Sequence, residues 1–123
     1  MEPFYPELSA AFARLLTSLA GQRIAVVGHA RPDGDCIGAQ VALARVLAAR
    51  GHDVICVNAD PVPRRLQFLV PGMTFYRTDE VLKMTEPRAA IFVDCADHAR
   101  VGERLKACYP EPAAGIDHHL SNV

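Results

Sequence analysis

The sequence predicts an α/β domain with a doubly wound, mostly parallel sheet and flanking helices. Short apolar segments rich in β-branched residues alternate along the chain with segments of helical pattern. Alternating strands and helices form β-α-β units, in which the strands are parallel and the helices cover both faces of the sheet. With 123 residues, 50% hydrophobic and 22% charged, the chain has the size and composition of one folded domain.

The first half of the chain predicts two helices and two strands. In the first helix, apolar residues recur at helical spacing on one face, and Gly21 marks its end. These apolar residues are Leu8, Phe12, Leu15, Leu16 and Leu19. Residues 23–28 (RIAVVG) form the first buried strand, residues 36–50 a second helix that ends at Gly51, and residues 53–58 (DVICVN) the second strand.

The second half predicts shorter elements, separated by proline-marked loops and a Pro71-Gly72 turn. In chain order they are a short helix at residues 64–69, a weak strand at 74–76, a clear strand at 89–94 (AAIFVD), a helix through about 100–108 and a last strand at 113–117 (AAGID).

Composition and charge exclude several classes of protein. Thirteen basic and fourteen acidic residues give a net charge of -1, which does not favour a general nucleic-acid scaffold but leaves room for a local anion site. The chain shows no signal-peptide pattern and no apolar run near the roughly 18 residues of a membrane span. Its four cysteines lack CxxC and zinc-finger spacing, which predicts reduced thiols in a cytoplasmic protein. Without a GxGxxG motif or a P-loop, a dinucleotide-binding dehydrogenase is disfavoured.

Polar residues follow three of the predicted strands at the point where each strand ends. They are His29, Asp33 and Asp35 in GHARPDGDCIG, Asp94, and the run Asp117, His118 and His119. Because parallel strands end at one edge of a sheet, these side chains are expected to meet there. Clustered carboxylates repel one another, and a bound cation relieves that repulsion. Carboxylates and imidazoles favour manganese or magnesium, with iron or cobalt as alternatives, and their number favours two ions about 3.5–4 Å apart.

Each of these residues also has a structural interpretation. Asp33 and Asp35 fit turn chemistry, which is compatible with metal binding, and Asp94 could cap the segment that follows it. The His118-His119 pair could be solvated surface. Arg64 and Arg65 are expected in a solvated loop, with contact to an anionic substrate as the alternative.

The motifs GHARPDGDCIG, VDCAD and GIDHH resemble the first three motifs of the DHH phosphoesterases, in the same order. The closest resemblance is to the branch of oligoribonucleases and 3′-phosphoadenosine-5′-phosphate phosphatases, in which H-x-x-P-D-G-D-x-x-G opens a helix. The flanking segments FLVPG and VDCADHARVG are also similar to that branch.

This resemblance implies a role for each motif residue. His29 and Asp33 would hold one metal ion, Asp35 and His118 the other, and Asp94 would bridge the two. The implied ions are two Mn²⁺, with Mg²⁺ as the alternative.

Three further residues take roles around the metals by the same resemblance. His119 would contact the scissile phosphate or act as general acid, and Asp117 would orient the neighbouring histidine. Arg100 lies where that branch has an arginine after the second motif, so it is a weaker candidate for phosphate contact.

Residues 1–123 are then expected to form the N-terminal part of a DHH domain. The family's fourth motif, which supplies another aspartate ligand, and its C-terminal substrate-binding domain are absent from the sequence. The uncovered end of the sheet predicts marginal stability or self-association, as in a homodimer.

The expected function is two-metal hydrolysis of short oligonucleotides or nucleoside 3′,5′-bisphosphates in the cytoplasm. Exopolyphosphatase or pyrophosphatase chemistry of the same family is one alternative. A truncated module that binds metal or nucleotide without turnover is the other.

Overall fold

A parallel sheet forms the centre of the molecule. The computed structural model describes residues 6–29, 31–84, 86–93, 107–109, 112 and 114–116. Within these residues lie five strands: β1 (Ile24–Val27), β2 (Val54–Asn58), β3 (Phe75–Arg77), β4 (Ala89–Val93) and β5 (Ala114–Ile116). Their spatial order is β3-β2-β1-β4-β5, and every pairing between neighbours is parallel. The predicted α/β class and parallel sheet are confirmed.

Helices cover both faces of this sheet. The described helices are α1 (Pro6–Ser18), α2 (Gly34–Ala49), a 3₁₀ helix (Arg64–Leu69) and α3 (Thr78–Val81). Helices α1 and α2 pack on one face through buried side chains that include Leu16 and Leu47. Leu19, which follows α1, lies in the same cluster with Ile24 and Val26 of β1. None of the described helices combines the length and apolar character needed to cross a membrane.

The opposite face of β1 packs on a second apolar cluster. Ala25 and Val27 lie there with Phe92 of β4 and with Val81, which comes from α3. Every residue of β1 is 0% exposed, because helices and neighbouring strands enclose it on all sides. This burial on both faces explains why β1 is an unbroken apolar run rather than an alternating one.

Two glycines end the long helices where the sequence predicts them. Gly21 follows α1 with a φ of 78°, and Gly51 follows α2 with a φ of 92°. These angles lie in the left-handed region, which glycine enters without the steric cost that a Cβ atom would impose.

The sequence did not predict α3, a single turn after β3. The backbone N–H of Arg77 donates to Glu80 Oε1 at 3.0 Å, and the buried Thr78 and Val81 hold the turn against the sheet. The local contact and the burial together stabilise a helix too short for a periodic pattern. Most of the helix predicted at about 100–108 lies outside the described residues.

The sheet buries Cys56 of β2 deeply enough to change its ionisation. Burial, with a smaller contribution from nearby Cys36, raises the pKa of the Cys56 thiol from its usual 9.0 to about 12. Below pH 9 this thiol is neutral in both folded and unfolded chains, so its stabilising contribution is fully present. Between pH 9 and 12 the unfolded chain ionises first, and up to about 4 kcal/mol of stability is lost.

The stability of the wild-type chain is therefore expected to fall more steeply above pH 9 than that of Cys56→Ala. Urea denaturation at pH 8 and 10.5 measures the difference, because the alanine variant retains every other alkaline titration. Equal losses of stability in the two proteins would contradict the assignment to Cys56.

Candidate metal centre at the carboxyl edge of the sheet

The candidate site lies where the direction of the sheet changes. From β1 the chain continues to β2 on one side, whereas β4 pairs with β1 on the other side. Open parallel sheets bind ligands at such a switch point, beside the carboxyl ends of the central strands. Here those ends are Val27 of β1 and Val93 of β4, and the chain leaves β1 through Gly28 and His29.

His29 and Asp33 come together at this edge. His29 is 2% exposed, and its Nε2 atom lies 3.7 Å from Oδ1 of Asp33, whose side chain is 55% exposed. The distance exceeds that of a hydrogen bond. Ligands bound at about 2.0–2.2 Å to one divalent ion lie at most about 4.4 Å apart, so this separation of 3.7 Å fits a shared cation.

Asp33 also begins helix α2. Its Oδ1 atom accepts a hydrogen bond from the backbone N–H of Cys36 at 2.9 Å, and its own backbone is extended, as an N-cap requires. Asp35 lies exposed on the first turn of the same helix. Both carboxylates therefore lie at the N-terminal end of α2, where the helix dipole attracts negative charge.

Five predicted site residues lie outside the part of the chain that the structure describes. They are Asp94, Arg100, Asp117, His118 and His119. Strands β4 and β5 pair up to Val93 and Ile116, and these two residues immediately precede Asp94 and Asp117 in the sequence. Among the described residues alone, no three His, Cys, Asp or Glu side chains are grouped to hold a metal ion.

A buried amide network lies beneath His29, and sequence reasoning missed it. Gln40 of α2 is 0% exposed, and its Nε2 atom donates to Asn58 Oδ1 at 2.9 Å and to the carbonyl oxygens of Val26 at 3.0 Å and Val57 at 3.3 Å. Asn58 in turn donates from Nδ2 to the carbonyl oxygen of His29 at 3.5 Å. These contacts connect α2 with the ends of β1 and β2, and so fix the segment that carries the candidate ligands.

The network leaves room for only a glycine at position 28. A Cβ atom there would lie 2.5 Å from Cys36 Sγ and 2.7 Å from Gln40 Oε1, and would also collide with Asn58 Nδ2. The sequence does contain one signal for this network. Gln40 is an amide on the buried face of a helix whose neighbours on that face, such as Ile37 and Val41, are apolar.

The loop after β1 is tied to the loop after β2. The backbone N–H of Arg31 donates to Asp60 Oδ2 at 2.7 Å, and Arg31 has a φ of 51°, in the left-handed region that non-glycine residues rarely enter. A side-chain hydrogen bond to the backbone is one means of holding such a conformation. His29 and Arg31 are therefore each held by a hydrogen bond to the end of β2 or to the loop that follows it.

The donor atoms in this arrangement suit a divalent cation. A buried imidazole and a half-exposed carboxylate meet at a helix N-terminus. Imidazole nitrogens and carboxylate oxygens are both common ligands of divalent metal ions.

Comparison with known proteins places this geometry in a family context. The family model described as "DHH family, N-terminal domain" matches residues 23–123, which begin just before β1. The chain is 36% identical over 122 residues to the bifunctional oligoribonuclease and PAP phosphatase NrnA of Thermus thermophilus, covering 98% of this chain and 35% of that protein. The chain therefore spans about a third of the length of this relative.

The chain is similar to one solved structure in fold more than in sequence. An exopolyphosphatase-related protein from Bacteroides fragilis superposes with a TM-score of 0.76 at 20% identity. The match covers 98% of this chain and 37% of that one.

Proposed function

Because the chain belongs to the DHH family, we propose that it is the N-terminal part of a metal-dependent phosphoesterase. The proposed substrates are short oligonucleotides and nucleoside 3′,5′-bisphosphates. The observation that carries the proposal is the pairing of His29 with Asp33 at the switch point of the sheet, at a distance that fits a shared cation.

The proposed metal ligands follow the three motifs. His29 and Asp33 would hold one ion, Asp35 and His118 a second, and Asp94 would bridge them. Two Mn²⁺ ions, or Mg²⁺, would supply an activated water and neutralise the charge that develops on the phosphoryl oxygens. Residues Gln40 and Asn58 support this arrangement because they hold the backbone of His29 against the ends of β1 and β2.

The remaining motif residues would act on the substrate. His119 would bind the scissile phosphate or donate a proton to the leaving oxygen, and Asp117 would orient the neighbouring His118. Arg100 would contact a phosphate oxygen through its guanidinium group.

The choice of substrate is supported by the Thermus relative, which is named for oligoribonuclease and PAP phosphatase activities. The likeness to the exopolyphosphatase-related structure concerns the fold, so polyphosphate serves as a comparison substrate. A cytoplasmic location is part of the proposal, supported by Cys56 and Cys108, which form no disulfide within the described part of the chain. Self-association into a homodimer stays a prediction that sedimentation at two concentrations would check.

The test measures product release with Mn²⁺ from three substrates side by side. They are an RNA dinucleotide, a nucleoside 3′,5′-bisphosphate and polyphosphate. We expect turnover of the first two, and loss of that turnover in Asp94→Asn. The matched control is Asp53→Asn, which alters a carboxylate before β2, at the opposite edge of the sheet, and keeps an oxygen for Arg88.

Two results would overturn parts of the proposal. Hydrolysis of polyphosphate alone would assign the chain to a different activity of the same fold. Mn²⁺ binding without turnover of any substrate would instead identify a metal-binding module whose activity needs residues beyond this chain.

A further inference from the structure

The 3₁₀ helix between β2 and β3 borders the loop that carries His29 and Asp33. Asp60, which precedes this helix, accepts the hydrogen bond from the backbone of Arg31 at 2.7 Å. Leu66, within the helix, lies close to the start of α2, since its Cδ2 atom is 3.9 Å from the Cβ position of Gly34. Gly34 is the residue between Asp33 and Asp35. Two contacts therefore hold the segment beside the candidate metal centre.

This helix presents positive charge at the same edge. Arg64 and Arg65 are exposed on it, and neither forms an ion pair with any residue that the structure describes. Arg23 and Arg88, by contrast, pair with Asp53 near the opposite edge of the sheet. Guanidinium groups with no carboxylate partner beside a phosphoesterase site are suited to bind phosphate oxygens.

The helix also presents an aromatic ring. Phe68 is 74% exposed, which is the largest exposure among the large hydrophobic side chains that the structure describes. Its neighbours Leu66 and Leu69 are half-buried, so the helix packs through its leucines and leaves the phenyl ring to solvent. A single exposed ring is too small for a protein-docking groove, but it is sufficient as a platform for one nucleobase.

We propose that Arg64, Arg65 and Phe68 form a binding surface for a single-stranded oligonucleotide. Phe68 would stack on a base, and the two arginines would bind phosphates flanking the one that lies at His29 and Asp33. Exposed aromatic rings combined with basic side chains are the general means by which proteins bind single strands without reading their sequence. This inference rests on the proposed function, which it deepens by adding a site for the nucleotides next to the scissile bond.

The test is a binding measurement in which no hydrolysis takes place. A 5′-phosphorylated RNA trinucleotide containing 2-aminopurine is titrated with the 123-residue chain in EDTA, and stacking is read from quenching of the fluorescent base. Phe68→Ala is expected to weaken binding roughly 5- to 150-fold and to remove most of the quenching, whereas Phe68→Trp retains both. The matched control is Leu82→Ala, which removes an exposed apolar side chain near the C-terminal end of α3.

Salt dependence tests the arginines separately. Each of Arg64→Ala and Arg65→Ala is expected to reduce the slope of log K against log salt by about 0.7, the change for one lost phosphate contact on a single strand. Arg50→Ala, at the far end of α2, is expected to leave the slope unchanged.

The outcomes separate this inference from the proposed function. Phe68-dependent RNA binding in a chain that hydrolyses none of the three substrates would sustain the surface and overturn the activity. Hydrolysis of the dinucleotide with Phe68→Ala equal to wild type in binding and in KM would overturn the surface and leave the activity. A wild-type chain that neither binds the trinucleotide nor quenches its fluorescence would also overturn the surface.

Discussion

Asp33→Asn is expected to weaken Mn²⁺ binding more than about 100-fold and to reduce turnover to background, with the fold intact. Loss of residues that only orient a metal ligand costs about 10–100-fold in metal affinity, and loss of the ligand's own charge exceeds that. The fold survives because asparagine keeps an Oδ1 atom for the backbone N–H of Cys36, and the two residues are equally good N-caps.

Electron paramagnetic resonance of free Mn²⁺ measures this binding directly, without relying on turnover. Urea denaturation of the same samples checks that Asp33→Asn remains as stable as wild type within about 0.5 kcal/mol. Asp53→Asn provides the matched control at the opposite edge of the sheet. Unchanged Mn²⁺ affinity in Asp33→Asn would show that Asp33 only caps helix α2 and does not bind the metal ion together with His29.

Much of the fold could be predicted from local pattern. Strands β1 and β4 are enclosed on both faces, so their sequences are uninterrupted apolar runs. Such runs can be recognised in the sequence even when the neighbouring strands are not known. The ends of α1 and α2 were predicted from the glycines that follow them, and the structure shows Gly21 and Gly51 with left-handed backbone angles. Helix α3 was missed because one turn carries no periodicity, and its stability comes from packing on strands distant in sequence.

In the candidate site, too, some features could be predicted from local sequence and others depend on contacts between distant parts of the chain. His29 and Asp33 were predictable as neighbours because both follow β1. His29 lies just after the end of the strand, and Asp33 lies at the start of helix α2. Nothing local indicates that Asn58 of β2 reaches the carbonyl oxygen of His29, since 29 residues separate the two in sequence. The sequence shows that Arg64, Arg65 and Phe68 are two basic residues and an aromatic residue, but not that they lie near the candidate site. Only the contact between Leu66 and the start of α2 indicates that.

Gly28→Ala is expected to destabilise the chain by about 2–6 kcal/mol. The new methyl group would displace the side chains of Cys36, Gln40 and Asn58, all of which are buried and hydrogen-bonded to one another. Overpacking costs about 1–3 kcal/mol, and breaking a buried hydrogen bond costs about 1–3 kcal/mol more. Gly38→Ala is the matched control, because nothing lies within 4 Å of its Cβ position. At this helical site alanine is expected to stabilise the chain by about 0.5–1 kcal/mol.

Urea denaturation of both variants, with Mn²⁺ absent, measures whether Gly28→Ala lowers the free energy of unfolding and Gly38→Ala raises it. A second readout distinguishes a local role from a general loss of packing. Because the displaced amides hold the backbone of His29, the folded fraction of Gly28→Ala is expected to bind Mn²⁺ more weakly than wild type, whereas Gly38→Ala binds it equally. Equal stability of Gly28→Ala and wild type would mean that the network yields at little cost, and a network so easily displaced could not position a metal ligand.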